Sequence, residues 1–235
     1  MPRIHAALVD LDGTLVDTLG DFEVALGLTL QGLGARPVSR GFIERTIGKG
    51  SEHLIRQTLA EAGLGEDPFD AAWSAYQTHY RAINGRHAPV YDGVEQALER
   101  WAAAGWRLGC LTNKPAAFAR ELLERKGLER WFDFVYGGDT FARRKPDPLP
   151  LLEGCRSFGL PPAVVLMVGD SANDALAARA AGCPVVLVRT GYNHGEPVES
   201  AGADACFDRL DQIDPLEPLP FSGAAGGVIP GAARC

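Results

Sequence analysis

"AALVDLDGTLVD", residues 6–17, carries an apolar run into two aspartates, Asp10 and Asp12, then through a glycine and a threonine into a second apolar run. Carboxylates are rarely buried unpaired, because taking a charge out of water is costly. Two of them at the end of a buried strand therefore need a surface turn or a positive partner between them. Asp12-Gly13 between alternating apolar residues is itself a hairpin-turn signal, so the rest of the chain must decide.

Working outward, four short apolar runs read as buried strands, at residues 4–10, 106–112, 163–170 and 184–188; weaker candidates lie at 131–137 and 203–207. Helical patterns lie between most of them. "DGVEQALERWAAAG" opens with a capping-box pattern, Asp92 to Glu95, and closes at Gly105; "SANDALAARAAG" opens at Ser171 and closes at Gly182. Strand alternating with helix predicts an α/β fold, a doubly wound parallel sheet with a Rossmann-like core. Residues 17–91 break this rhythm, because no strand pattern interrupts their helical stretches. The expected organisation is a discontinuous α/β core (1–16 and 92–214), an inserted all-helical segment (17–91) and a loosely held tail rich in Pro, Gly and Ala (215–235).

The 235 residues are 46% hydrophobic and 23% charged, enough to bury a sizeable core. Lys plus Arg number 23 against 30 Asp plus Glu, a net charge of -7 that argues against nucleic acid or an anionic membrane as partner. It does not exclude a small anionic substrate, since a local cation can dominate a pocket. The five cysteines form no C-x-x-C pair, Asp10 interrupts the N-terminal apolar run, and no stretch is apolar and long enough to span a bilayer. The expectation is a reduced, cytoplasmic protein with free thiols. Monomer and homodimer both remain open.

Polar residues gather at the ends of the predicted strands. Asp10 and Asp12 end the first, Thr112 and Asn113 the second, and Asp170 ends "VVLMVG" with Asp174 on the following helix; Lys145 sits in "RRKPDP". Each has an ordinary structural explanation. Asp174 can complete a capping box with Ser171, Thr112 and Asn113 can cap the helix beginning near Pro115, and a lysine in a Pro-rich turn is usually solvated. Together they fit one site, because open parallel sheets bind ligands beyond the carboxyl ends of their strands. Asp10, Asp12 and Asp170 crowd negative charge that a hard divalent cation relieves, and Mg2+ suits a site that also admits phosphate and water. A carboxylate beside a metal and a lysine can attack phosphorus, and a second carboxylate can move the protons. Mg2+, Lys145 and the Thr112 hydroxyl can neutralise the phosphoryl oxygens.

"DLDGTLVDT", "LTN", "RKPDP" and "VGDSANDALAARAAG" resemble, in order and spacing, the four motifs of the haloacid dehalogenase superfamily. The resemblance implies that Asp10 is the nucleophile and Asp12 the general acid/base. It also implies that Thr112 and Asn113 position the phosphoryl group and Lys145 stabilises charge. Asp170 would bind Mg2+ with Asp10 and the backbone carbonyl of Asp12, and Asp174 would support the metal shell. Residues 17–91 resemble the small helical cap of the phosphatase and phosphomutase branch. The dehalogenases themselves lack the second aspartate, so Asp12 argues for phosphate chemistry.

"GYNHGEP" (191–197) and "RTIGKGSEHLIRQTL" (45–59) resemble bacterial phosphoglycolate phosphatases. The implied reaction is Mg2+-dependent hydrolysis of a small phosphorylated metabolite, 2-phosphoglycolate, through an aspartyl-phosphate. The rivals are a sugar phosphomutase, a phosphonate-cleaving relative with Lys49 as Schiff-base former, and a signalling receiver that stores the aspartyl-phosphate. The substrate's carboxylate needs its own donors, and the segment 45–56 offers Arg45, Lys49, His53 and Arg56. In the helical segment, Arg45 and Lys49 flank Gly48 and Gly50 and are the expected carboxylate readers.

Overall fold

The computed structural model describes residues 3–217; most of the predicted tail, 218–235, lies outside the described residues. Six strands form one sheet: β1 (Ala6–Val9), β2 (Arg107–Leu111), β3 (Phe134–Tyr136), β4 (Val165–Gly169), β5 (Val185–Val188) and β6 (Ala205–Phe207). All neighbours pair parallel in the order β3-β2-β1-β4-β5-β6. Between β1 and β4 the strand order reverses, which is where doubly wound sheets bind ligands. The four strong apolar runs are the four central strands. The two weak candidates are strands too, each three residues long and at an edge, where there is less apolar surface to bury.

Helices cover both faces, as the buried strands require. Ala7 and Val9 of β1 face a cluster with Leu98 and Trp101 of α5 (Val94–Ala103) and Leu122 of α6 (Ala116–Arg125). Ala6 and Leu8 face the opposite cluster. It contains Leu151 and Phe158 of α7 (Leu149–Phe158) and Ala177 of α8 (Ala172–Ala181). Two caps differ from expectation. Gly93, with φ of 85°, precedes α5 and no side chain caps that helix, so Asp92 does not form the predicted box. Neither Thr112 nor Asn113 caps α6; the Ala116 N–H donates instead to Asp139 at 2.8 Å.

Between β1 and α5 the chain forms α1 (Leu19–Gly32), α2 (Arg40–Thr46), α3 (Ser51–Glu61) and α4 (Phe69–Ile83). They share a third cluster that includes Phe22, Leu26, Leu54, Leu59, Tyr76 and Tyr80, and Phe118 of α6 and Tyr192 after β5 join it. The chain leaves and returns as adjacent segments, with Asp17 N–H donating to Pro89 O and Tyr91 N–H to Leu15 O. Buried Asp21 of α1 accepts the N–H groups of Gly85 and His87, tying the return segment to the outgoing helix. No helix among the described residues is long and apolar enough to cross a membrane. Cys110, Cys155 and Cys183 are free and buried, as expected; Cys206 is disulfide-bonded and departs from the expectation of free thiols.

Candidate active site

The strand order delivers the polar residues to one place. Asp10 N–H donates to Val168 O at 2.9 Å, so the end of β1 runs beside the end of β4 and brings Asp10 near Asp170. Thr112, Asn113 and Lys114 follow β2 on the other side of β1. Lys145 comes from the loop before α7 and Asp174 from the first turn of α8. Asp10, Asp12, Thr112, Asn113, Lys114, Asp170 and Ser171 line one small cavity, closed over by Phe22, Ile47, Gly48, Gly50, Ser51, Leu54 and Tyr192. Gly13, with φ of 85°, is required here. A β-carbon would stand 2.3 Å from Asp170 Oδ2 and displace the carboxylate.

One buried ammonium organises the acidic end. Lys145 Nζ lies 2.6 Å from Asp174 Oδ1 and 3.0 Å from Asp10 Oδ1, and donates to Leu111 O at 2.8 Å. Asp174 Oδ2 accepts from Ser171 N–H at 3.1 Å and Ser171 Oγ at 2.9 Å. Asp174 therefore caps α8 through Oδ2 while its Oδ1 holds Lys145. Asp170 accepts from Thr14 Oγ1 at 3.1 Å and from Tyr192 N–H at 2.6 Å.

Burial dominates the electrostatics. It pushes the Asp10 carboxyl up to about 7, with Lys145 opposing and the Asp174 charge adding to the rise. Asp170 is raised well above the carboxylate range by burial and by the charges of Asp174 and Asp10. Burial works against the Lys145 charge, but Asp10 and Asp174 outweigh it and hold the ammonium above its ordinary range.

The donor set fits a hard cation. Carboxylate oxygens of Asp10, Asp170 and Asp174 lie within 4.8 Å of one another, all in buried residues. Asp10 Oδ1 is near Lys145 as an ion pair but has no aligned hydrogen-bond donor. One ammonium pairs with two of the three buried carboxylates, Asp10 and Asp174, and the excess charge is what a divalent ion with oxygen ligands relieves.

Asp12 is held apart from this cluster. Lys114 Nζ donates to its Oδ1 at 2.9 Å and lies 3.3 Å from Oδ2, and donates to the Tyr80 hydroxyl at 2.6 Å. The same ammonium sits 4.8 Å from the Phe22 ring centre and 4.7 Å from that of Tyr80. Burial and the Asp12 charge keep the Tyr80 hydroxyl protonated by raising it well above its ordinary value. Lys114 was not singled out from the sequence. Its signal was a lysine directly after two polar residues at the end of a buried strand, in "LTNKP".

Thr112 lines the cavity, and its Oγ1 accepts from Lys114 N–H at 3.2 Å. The Asn113 amide donates at 2.8 Å to both Gly48 O and Lys145 O. Asn173 donates to the same Gly48 carbonyl at 3.2 Å, so two side chains of the α/β part grip the loop between α2 and α3. Arg45 and Lys49 are not brought to the cavity. Both are exposed, Arg45 in a groove with Gly191 and Glu196, and Lys49 in one with His53, Arg143 and Arg144. In the segment 45–50 it is Ile47 and the backbone of Gly48 and Gly50 that line the cavity, not the charged side chains beside them.

Comparison with known proteins shows the family and the fold. Residues 4–182 match a family model described as haloacid dehalogenase-like hydrolase. A phosphoglycolate phosphatase of Thiobacillus denitrificans is 43% identical over 88% of this chain and 92% of its own. Another, of Rhodospirillum rubrum, is 43% identical over 95% of this chain and 94% of its own. Among solved structures, one described as a predicted phosphoglycolate phosphatase from Haemophilus somnus 129pt superposes with a TM-score of 0.87 at 31% identity. It covers 90% of this chain and 97% of that one.

Proposed function

Because the chain belongs to the haloacid dehalogenase-like hydrolases, we propose that it hydrolyses 2-phosphoglycolate to glycolate and phosphate through a phosphorylated Asp10. It is a phosphoric monoester hydrolase, as its relatives are named. The observation that carries the residue assignment is the separation of the two aspartates onto two different lysines in one cavity. Asp10 is paired with Lys145 and Asp12 with Lys114, which suits two carboxylates with different tasks.

Asp10 attacks phosphorus, and the bond from phosphorus to the glycolate oxygen breaks. Asp12 gives that oxygen its proton, then takes a proton from the water that attacks the aspartyl-phosphate. Lys145 balances the charge that grows on the phosphoryl oxygens, and the Thr112 hydroxyl donates to one of them. Asp10 and Asp170, with Asp174 behind them, would hold Mg2+, which supplies positive charge opposite the same oxygens. Residues 17–91 act as a cap that excludes water from the cavity.

The test is phosphate release in Mg2+ from 2-phosphoglycolate, hexose phosphates, phosphonoacetaldehyde and an aryl phosphate. The highest kcat/KM on 2-phosphoglycolate, abolished by chelator, is the expected result. A preference for hexose phosphate isomerisation, or full activity in excess chelator, sinks the reading.

A further inference from the structure

We infer that Lys114 is the residue that reads the substrate's carboxylate, an inference that rests on the proposed hydrolysis of 2-phosphoglycolate. The substrate carries charge at both ends. Lys145 is committed to its phosphoryl end, with Asp10, Asp174 and the Leu111 carbonyl around its ammonium. Arg45 and Lys49 line neighbouring grooves, which adjoin the site at Asp170 and Tyr192 and at Lys145, and neither lines the cavity itself. Among the described residues that line the cavity, Lys114 is the one with a cationic side chain.

Its setting is that of a ligand-reading group. The residue is 5% exposed, and its ammonium packs beside the paired rings of Phe22 and Tyr80, which lower the local dielectric and strengthen any ion pair made there. An ammonium carries three donors. Its hydrogen bonds go to the Tyr80 hydroxyl at 2.6 Å and to both Asp12 oxygens, at 2.9 Å and 3.3 Å; the long contact to Oδ2 is the one that an oxygen of the ligand would replace. Asp12 is paired with Lys114 and lines the same cavity as Asp10. In the proposed mechanism it serves the ester oxygen, and in 2-phosphoglycolate one methylene separates that oxygen from the carboxylate. The group that holds Asp12 is therefore within reach of the substrate's far end. Ser51, the first residue of α3, also lines the cavity.

The experiment compares two substrates that differ only in the group to be read: 2-phosphoglycolate, and 2-hydroxyethyl phosphate, whose CH2OH replaces the carboxylate. The readout is the ratio of their kcat/KM values in wild type, Lys114→Met and Lys114→Arg, with melting curves to confirm folding. Lys114→Gln replaces the Met variant if that one does not fold. Damage transmitted through Asp12 falls on both substrates and cancels in the ratio. The ratio should fall by roughly 10- to 100-fold in Lys114→Met, the span of a lost charge-assisted contact, and by much less in Lys114→Arg. If wild type prefers 2-phosphoglycolate and Lys114→Met keeps that preference while losing activity on both, Lys114 only supports Asp12 and the inference is overturned. If wild type itself turns over 2-hydroxyethyl phosphate at least as well, the substrate reading fails and takes this inference with it.

Discussion

The two ends of the cavity each set a buried lysine against an aspartate, but from different material. At the acidic end the partners of Lys145 are Asp10, Asp174 and Leu111 O, every one on the α/β framework. At the other end Lys114 joins Asp12 of the framework to Tyr80 and Phe22 of the helical insertion. The first end draws no ion-pair partner from the insertion. The second is complete only when the helices lie against the sheet, held by Asn113 and Asn173 on the Gly48 carbonyl. On the proposed reading, the chemistry rests on the α/β framework, and selection rests where the framework meets the helical insertion.

The severest test of this division is Asp10→Asn. A carboxamide cannot form the aspartyl-phosphate, so turnover should fall to about one-thousandth of wild type or less on every substrate. The fold should persist, because one of three crowded carboxylates has lost its charge. Initial rates on 2-phosphoglycolate and an aryl phosphate, with a melting curve, check both halves. Near-normal rates on either substrate would remove the nucleophile from the acidic end.

A second contrast concerns stability. Removing one partner of a buried ion pair typically costs about 3–5 kcal/mol. The Asp174 side chain is 0% exposed and that of Asp12 is 11% exposed. Lys145→Met should therefore lower Tm by roughly 6–20 °C for a chain of this size. Lys114→Met should lower it by less than half as much, since water can reach Asp12 once the insertion shifts. Equal losses in the two variants, measured by calorimetry, would break the comparison.

The same division governs what could be read from the sequence. The acidic end was legible because each residue follows a strand whose apolar run announces it: Asp10 after β1, Thr112 after β2, Asp170 after β4. β3 and β6 left weaker signals because an edge strand of three residues has little to bury. The Asp92 capping pattern misled because Gly93 enters α5 in a left-handed conformation, with φ of 85°, and no side chain caps the helix. The other end was not legible. Lys114 gains its meaning from Phe22 and Tyr80, which lie 92 and 34 positions earlier in the sequence and meet it only through the packing of α1 and α4. Arg45 and Lys49 drew attention through the glycines beside them, but those glycines bring backbone to the cavity.

The acidic end should also show itself in the pH dependence of the metal-free protein. Asp10 is raised to about 7 from 3.8 and Asp170 is raised as well, so between those values the folded state binds more protons than the unfolded one. The stabilisation is present at low pH and is lost as pH rises towards 7. His53 and His194 are lowered by burial and by nearby Lys49, which pulls the other way below pH 6.5. The slope assigned to the carboxylates is therefore the part that Asp10→Asn removes. In chelator, Tm should be higher near pH 5 than near pH 7.5, and Mg2+ should raise it more at the higher pH. A Tm that Mg2+ leaves unchanged at pH 7.5 counts against a cation at these three aspartates.

The smallest effect is expected from the most conspicuous charges of the insertion. Arg45 and Lys49 are exposed, their side chains line grooves other than the cavity, and neither makes an ion pair among the described residues. Exposed charges act at a distance through water and are largely screened beyond about 8 Å at physiological salt. Arg45→Ala and Lys49→Ala should therefore each change kcat/KM for 2-phosphoglycolate by less than about threefold, a limit set by the modest worth of exposed charges. Lys49, beside His53, Arg143 and Arg144, adds to a positive groove that can draw an anion inwards. Its residual effect should lie in kcat/KM at low salt and vanish as salt rises, with kcat unchanged. A salt-independent loss of tenfold or more in either variant, seen with 2-phosphoglycolate and not with an aryl phosphate, would move the carboxylate contact back to the insertion and away from Lys114.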